Sequence, residues 1–327
     1  MWQDLFRIPL PFSLPVIGDE LVIHGFGLML VIGFLAAMEL ARYLARKSRI
    51  NPELFANAAL IGLVAGILGS RLSHVLENLP DYTRSDLTFA QNFGNAANIT
   101  SGGLTYYGGF ILAFITLVAY ALWKRIPLRA GMDIIAPCLM VGLAFGRIGC
   151  FLNGCCFGAV CNVPWAMSFP YGSPPYMEHV EQGKVHVPPQ LVQVDRDGNP
   201  VPIDPAKLRS PELKSLQPLA AVQRSMRIHP TQLYSAITAF TLAGLLISHF
   251  TLPHAPGRTF ALMMMLEGAA RFSLELVRVE PPVVGGLSLS MVLSIALAVV
   301  GVVLWFIFRA PARQTLPTTA ATPAAAA

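Results

Sequence analysis

Charge is scarce in this chain. Only 13% of its 327 residues are Asp, Glu, Lys or Arg, 54% are hydrophobic, and the mean hydropathy is +0.57. That balance excludes an ordinary water-soluble domain and describes a chain solvated mainly by lipid. Two further features are lacking. No internal repeat recurs at solenoid or transporter spacing. No basic segment precedes a short apolar run and a small-residue cleavage site at the start, so the first apolar stretch is expected to stay in the protein.

What is present is a series of long apolar stretches. A bilayer core about 30 Å thick needs about 20 mostly apolar residues per helical crossing. Seven stretches qualify, at approximately 21–45, 54–76, 103–123, 130–151, 231–250, 258–278 and 286–308. The prediction is an all-α polytopic membrane protein with seven transmembrane helices.

Lys and Arg in short loops set the orientation, because cytoplasmic loops retain positive charge. Arg42, Arg46, Lys47 and Arg49 follow the first stretch, Lys124, Arg125 and Arg129 the third, and Arg309 and Arg313 the seventh. The alternate loops carry Asp81, Arg84 and Asp86, or little beyond Glu280. The N-terminus is therefore expected in the periplasm and the C-terminus in the cytoplasm. The formal charge of +5 is then a topology signal and no nucleic-acid footprint.

The transmembrane domain is expected over 1–308. One connection, 151–229, is far longer than the rest and falls on the periplasmic side between the fourth and fifth spans. Loops of that length are usually functional or partly disordered. Its first part, 151–181, is rich in Cys, Gly and aromatics and is expected to fold against the membrane surface, whereas 182–226 reads as a polar, Pro-studded insertion. The Ala, Pro and Thr tail at 309–327 has too little apolar diversity to pack, which predicts a disordered cytoplasmic end.

Within the sixth span Glu267, Arg271 and Glu275 follow one another at four-residue steps, on one helical face. A charge at mid-helix costs about 2.5–3.5 kcal/mol on insertion scales, so this stripe must face protein, water or a ligand. An ion pair that only holds helices together satisfies the same spacing. Other spans carry polar groups toward their periplasmic ends: Arg147 in FGRIGCFLNGCCFG, Arg71 and His74 in the second span, Tyr106 and Tyr107 opening the third, and His229 opening the fifth. Several cations at one depth repel unless an anion sits among them. A guanidinium fork matches phosphate oxygens, and a phospholipid head group reaches that depth by lateral diffusion. The glycines of SGGLTYYGGF, Gly108 and Gly109 among them, serve either close helix approach or a backbone bent around a ligand. Cys150, Cys155, Cys156 and Cys161 lie within twelve residues. Facing an oxidising compartment, they suit disulfides, with a thiolate metal site and free thiols as the other readings.

The segments SGGLTYYGGF, GRIGCFLNGCCFG, HPTQLY and RFSLE, in that order, resemble those of the bacterial prolipoprotein diacylglyceryl transferases. The resemblance covers roughly 20–306 apart from the insertion. It implies transfer of the diacylglyceryl group of phosphatidylglycerol to the lipobox cysteine of a preprolipoprotein, in a bacterial inner membrane, with no cofactor and no metal. By motif, Arg147, Asn153 and Gly154 fall in the family's signature segment, and Arg271 and Glu275 on its essential Arg and Glu of the sixth span. The chain departs from the pattern at four positions. Tyr107 stands where many members have a histidine, Phe26 where they have a tyrosine, Cys155 where a glutamate often follows Asn-Gly, and Cys150 where an asparagine precedes it.

Such chemistry needs thiol deprotonation and stabilisation of a leaving phosphate. Arg147 and Arg271, with help from Arg71, suit the second task. For the first the candidates are Tyr107, by motif position, then His229, Glu275 and Glu267. Tyr106, Gly108, Gly109, Asn153, Gly154 and Glu267 are expected to line the substrate site. A phospholipid transporter or a non-catalytic homologue would use the same buried arginines without forming a product.

Overall fold

A computed structural model describes residues 4–14, 18–83, 88–98, 103, 105–195, 198–278, 283 and 285–309. The chain opens with two strands, β1 (Asp4–Leu14) and β2 (Gly18–His24), paired antiparallel from Asp4 opposite His24 to Leu14 opposite Gly18. This ribbon was not expected, and it takes the first four residues of the predicted first span. The segment GDELVIH ends in β-branched Val and Ile, which favour an extended backbone, and the helix begins only at Gly25.

Helices follow: α1 (Gly25–Lys47), α2 (Pro52–Glu77), α3 (Leu79–Tyr82), α4 (Phe89–Ala97), α5 (Tyr106–Trp123) and α6 (Leu128–Asn153). After the long connection, which contains α7 (Pro174–Glu181), β3 (Val192–Val194), β4 (Pro200–Pro202) and α8 (Gln217–Val222), come α9 (Thr231–Thr251), α10 (Arg258–Glu275) and α11 (Leu289–Ile307). Each of the seven predicted stretches coincides with one of the longer helices α1, α2, α5, α6, α9, α10 and α11. Five of them, α1, α2, α6, α9 and α11, are long and apolar enough to cross a bilayer. Helix α5 contributes a shorter apolar run, and α10 is interrupted by its own charges. Large apolar side chains stay exposed along the outside of the bundle, among them Val299, Val303 and Phe306 of α11. In lipid such faces are solvated, whereas in water they would be a liability.

Small residues set the helix pairing. Gly33 of α1 lies against Phe145 of α6, and Gly149 of α6 against Phe26 and Met29 of α1, so these two helices run antiparallel. Gly62, Gly66 and Gly69 of α2 face Leu117, Ala113 and Leu112 of α5, also antiparallel, and a methyl group on Gly108 would strike Ser73 and the Gly69 carbonyl. Gly268 and Gly301 bring α10 and α11 together against Ala298 and Met265. The glycine pair of α5 thus serves helix approach, one of its two expected uses.

These contacts give the bundle two ends. At one, an apolar cluster of Ala41, Leu44, Ala45, Phe55, Ile134 and Cys138 joins α1, α2 and α6. There Asp133, 2% exposed, accepts from the backbone N–H groups of Gly257 (2.6 Å) and Phe260 (3.0 Å) and so caps α10. At the other end, α6 finishes, α9 begins, and the long connection folds back.

That connection has its own core of Tyr171, Tyr176, Leu191, Ile203, Leu208 and Ala220. The parts expected on either side of residue 182 share it. Its side chains come from both parts, and the Tyr171 hydroxyl donates to the Ile203 carbonyl at 2.8 Å. The flanks are laced by bridges from Val160 and Met167 to Ile228 and from Pro170 to Arg224. The predicted tail lies outside the described residues from 310 onward.

Candidate active site

The candidate site lies at the end of the bundle where α6 gives way to the long connection. Helix α6 stops because Gly154 takes a left-handed backbone (φ 81°) that Gly accepts without strain. The Gly154 N–H reaches the Phe151 carbonyl (3.2 Å), and the Cys155 N–H reaches back to the Cys150 carbonyl (3.1 Å), which is a Schellman termination. The turn leaves Arg147 on the last two turns of α6 and folds the cysteines back beside it. Asn153 lies beside the Cys155 thiol.

Helix α10 supplies the second charged wall. Glu267, half-buried, lies within electrostatic reach of both Arg147 and Arg271, so guanidinium groups from two different helices approach one carboxyl group. Four residues on, Arg271 lies 3.6 Å from Glu275, a carboxylate buried to 2% exposure. Arg271 also reaches the Ser290 hydroxyl of α11 at 3.5 Å. Glu275 is held from three sides, with Arg278 at 3.5 Å and the Ser288 hydroxyl at 3.4 Å. Arg278 did not figure among the expected site residues. Its signal was there: 267, 271, 275 and 278 follow the 4-4-3 spacing of one helical face, and only the end of the apolar run hid it.

From this wall a cleft of about 390 Å³ opens toward the long connection. Cys156, Gly158, Glu178, His179, Lys184 and Arg278 line it among others, so it joins the end of α10 to the lobe formed by the long connection. Gly158 is close enough to His229, Thr231 and the Val277 carbonyl that a methyl group would clash. The Cys156 thiol is held below its ordinary value, first by hydrogen bonds from Cys150 and Cys155 and then by the positive charges of Arg147 and Arg278. Burial lowers the pKa of His179, with Lys184 adding to the effect and Glu178 opposing it.

The remaining expected residues are distributed as follows. Arg71 is buried and gives its N–H groups to the carbonyls of Ala96 (2.7 Å), Asn95 (2.8 Å) and Gly103 (3.0 Å), tying α4 and the entry to α5 onto α2. Its guanidinium also lies over the Tyr82 ring at 5.3 Å. Tyr107, in the first turn of α5, is 64% exposed, while the Tyr106 side chain lies outside the described residues. The His229 ring shares the Tyr234 hydroxyl at 3.3 Å, and that hydroxyl also accepts from the Trp165 indole at 2.6 Å. The Sγ atoms of Cys150, Cys155 and Cys156 all lie within 4.8 Å of one another. Cys161 stands outside that group, in a segment whose N–H pairs with the Arg227 carbonyl. All five cysteines are free thiols.

The family model for prolipoprotein diacylglyceryl transferase matches residues 14–307. The chain belongs to this family. Among curated relatives, the Nostoc sp. protein is 26% identical over 96% of this chain and 95% of its own length, and the Clostridium tetani protein 26% identical over 88% and 94%. The Rhodopirellula baltica protein is 33% identical over 52% of this chain, a match covering only 35% of that protein. All three are phosphatidylglycerol–prolipoprotein diacylglyceryl transferases by name. Family membership makes the chain a transferase.

Proposed function

We propose that this protein transfers the diacylglyceryl group of phosphatidylglycerol to the thiol of the lipobox cysteine of a preprolipoprotein, the first step of lipoprotein maturation. The observation that carries the reading is the convergence of Arg147 of α6 and Arg271 of α10, both within electrostatic reach of the Glu267 carboxyl, which puts two guanidinium groups from different helices around one region. In the reaction the thiol loses its proton to a base and the sulfur attacks the glycerol carbon. The bond from that carbon to the phosphate oxygen breaks, and glycerol phosphate leaves with the electron pair. Arg147 and Arg271 bind that phosphate, and their attraction grows as charge collects on the departing oxygen. Glu275 and Glu267 aim the arginines. Glu275, gripped by Arg271, Arg278 and Ser288, is better placed to orient cations than to take a proton.

His229, with the Tyr234 hydroxyl to fix its ring, and Tyr107 at the mouth of α5 are the two candidates for the base. Arg71 serves as a strut, positioning the start of α5 through its carbonyl partners. Asn153 and Gly154 shape the turn beside the arginines, while Gly108 and Gly109 act through the close approach of α5 to α2.

The same reading sets the chain in a bacterial inner membrane with seven spans, N-terminus outside and C-terminus inside. The basic residues Arg42, Arg46, Lys47, Arg49, Lys124, Arg125 and Arg129 support it, because they gather around the ends of α1, α5 and α6 away from the cleft. The long connection then faces the periplasm, where secreted preprolipoproteins arrive.

The test uses purified protein, phosphatidylglycerol and a lipobox peptide weighed by mass spectrometry. The wild type adds one diacylglyceryl mass to the peptide, and Arg147→Ala or Arg271→Ala lowers the rate about 100- to 1,000-fold. Folded variants that keep the full rate overturn the assignment.

A further inference from the structure

The transfer chemistry leaves Cys150, Cys155 and Cys156 without a task, and yet the fold gathers them with care. The geometry points to a thiolate site for one thiophilic d10 cation, Cu(I) or Zn2+, built from these three side chains at the end of α6. Their sulfur atoms all lie within 4.8 Å of one another. A metal–sulfur bond of about 2.3 Å in a trigonal site sets sulfurs about 4 Å apart, so an ion seats with small side-chain rotations and no rebuilding of the backbone.

The backbone is fixed in advance. The Schellman turn ties Cys155 to Cys150 through the main chain, and Cys156 holds a left-handed conformation (φ 58°) that a non-glycine residue rarely adopts. That conformation is clamped from α9. The Thr231 hydroxyl donates to the Cys156 carbonyl at 2.9 Å, and the Gln232 amide donates to the Cys155 carbonyl at 2.8 Å. Gln232 is completely buried, and its own side-chain oxygen has no hydrogen-bond partner among the described residues.

Three soft sulfurs select Cu(I) or Zn2+ over hard cations, and with three ligands the trigonal preference of Cu(I) is met outright, whereas Zn2+ requires a water as its fourth ligand. Binding replaces up to three S–H bonds with metal–sulfur bonds, and the protons go to solvent.

The experiment uses the full-length protein in detergent, reduced and handled without oxygen. Zn2+ and Cu(I) are offered in separate arms against a chelator of known affinity, with metal content, proton release and Co2+ charge-transfer absorption as readouts. Wild type takes up one ion per chain and releases protons. Single variants Cys150→Ser, Cys155→Ser and Cys156→Ser weaken binding by more than the ~10- to 100-fold that loss of an outer-shell partner costs. Cys161→Ser leaves affinity unchanged, and comparing monodisperse fractions of matched thermal stability excludes misfolding as the cause. The proposal is overturned if reduced wild type binds neither ion, if Cys155→Ser binds as tightly as wild type, or if Cys161→Ser loses the ion equally. None of these readouts depends on lipid transfer, so this site and the proposed reaction fail or stand separately.

Discussion

Glu275→Gln is the substitution whose outcome the structure specifies most fully. The change keeps the side chain's shape and removes one charge from a carboxylate exposed by only 2%, so Arg271 and Arg278 lose the charge they share. Removing one partner of a buried ion pair costs about 3–5 kcal/mol. Two facts place Glu275 at or below the lower end. Its contacts of 3.4–3.6 Å are longer than the 2.7–2.9 Å typical of charge-assisted bonds, and the arginine side chains retain 24% and 15% exposure, so water relieves part of the loss. We expect about 2–3 kcal/mol of destabilisation, read as a lowered unfolding midpoint in detergent. Ser288→Ala, which removes one contact at 3.4 Å, should cost about 1 kcal/mol or less. Double-mutant cycles of Glu275→Gln with Arg271→Ala and with Arg278→Ala should each show coupling of about 0.5–3 kcal/mol. If Glu275→Gln costs no more than Ser288→Ala, or if both cycles are additive, the carboxylate is not the hub described here.

Two more outcomes follow from other parts of the molecule. His179 is buried with its Nδ1 unpartnered among the described residues, and its folded-state pKa is lowered by desolvation. The unfolded chain, at about 6.5, therefore takes up the proton first. The stabilising contribution is complete above that value and is lost as pH falls toward the lowered folded value. Hydrogen-exchange protection in the lobe around Tyr176, corrected for the intrinsic pH dependence of exchange, should fall as pH drops below about 6.5, and His179→Phe should flatten that dependence; an unchanged slope would count against the burial argument. Gly108→Leu forces a side chain against Ser73 and the Gly69 carbonyl, for which overpacking of about 1–3 kcal/mol is expected. Wild-type stability in that variant would mean that α2 and α5 do not approach as closely as described.

The helices were legible because apolar runs of that length have few alternatives, and each of the seven predicted stretches coincides with a helix. The ribbon at β1 and β2 was missed because a short apolar segment such as ELVIH reads equally well as the start of a span. At the site, the four-residue spacing of Glu267, Arg271 and Glu275 disclosed a shared face. Arg278 escaped because it comes three positions after Glu275, at a point where the apolar run was ending. Spacing could also announce a cysteine cluster, but it could not say which three of the four sulfurs converge. That depends on a left-handed Gly154, a clamped Cys156, and a Cys161 drawn away by its pairing with Arg227. The same limit applies to Arg71. Its charge suggested a ligand, while the carbonyls it binds come from residues 24–32 positions further along the chain.

The cap that Asp133 places on α10 has a longer reach than its own hydrogen bonds. A helix is a stiff rod, and from Gly257 to Glu275 this one extends roughly 27 Å, so whatever grips its near tip sets how the far tip is turned. Asp133 does the gripping from α6, the same helix that carries Arg147. The angular relation between the two arginines is thus governed from the opposite end of the bundle, like a rudder worked from the tiller.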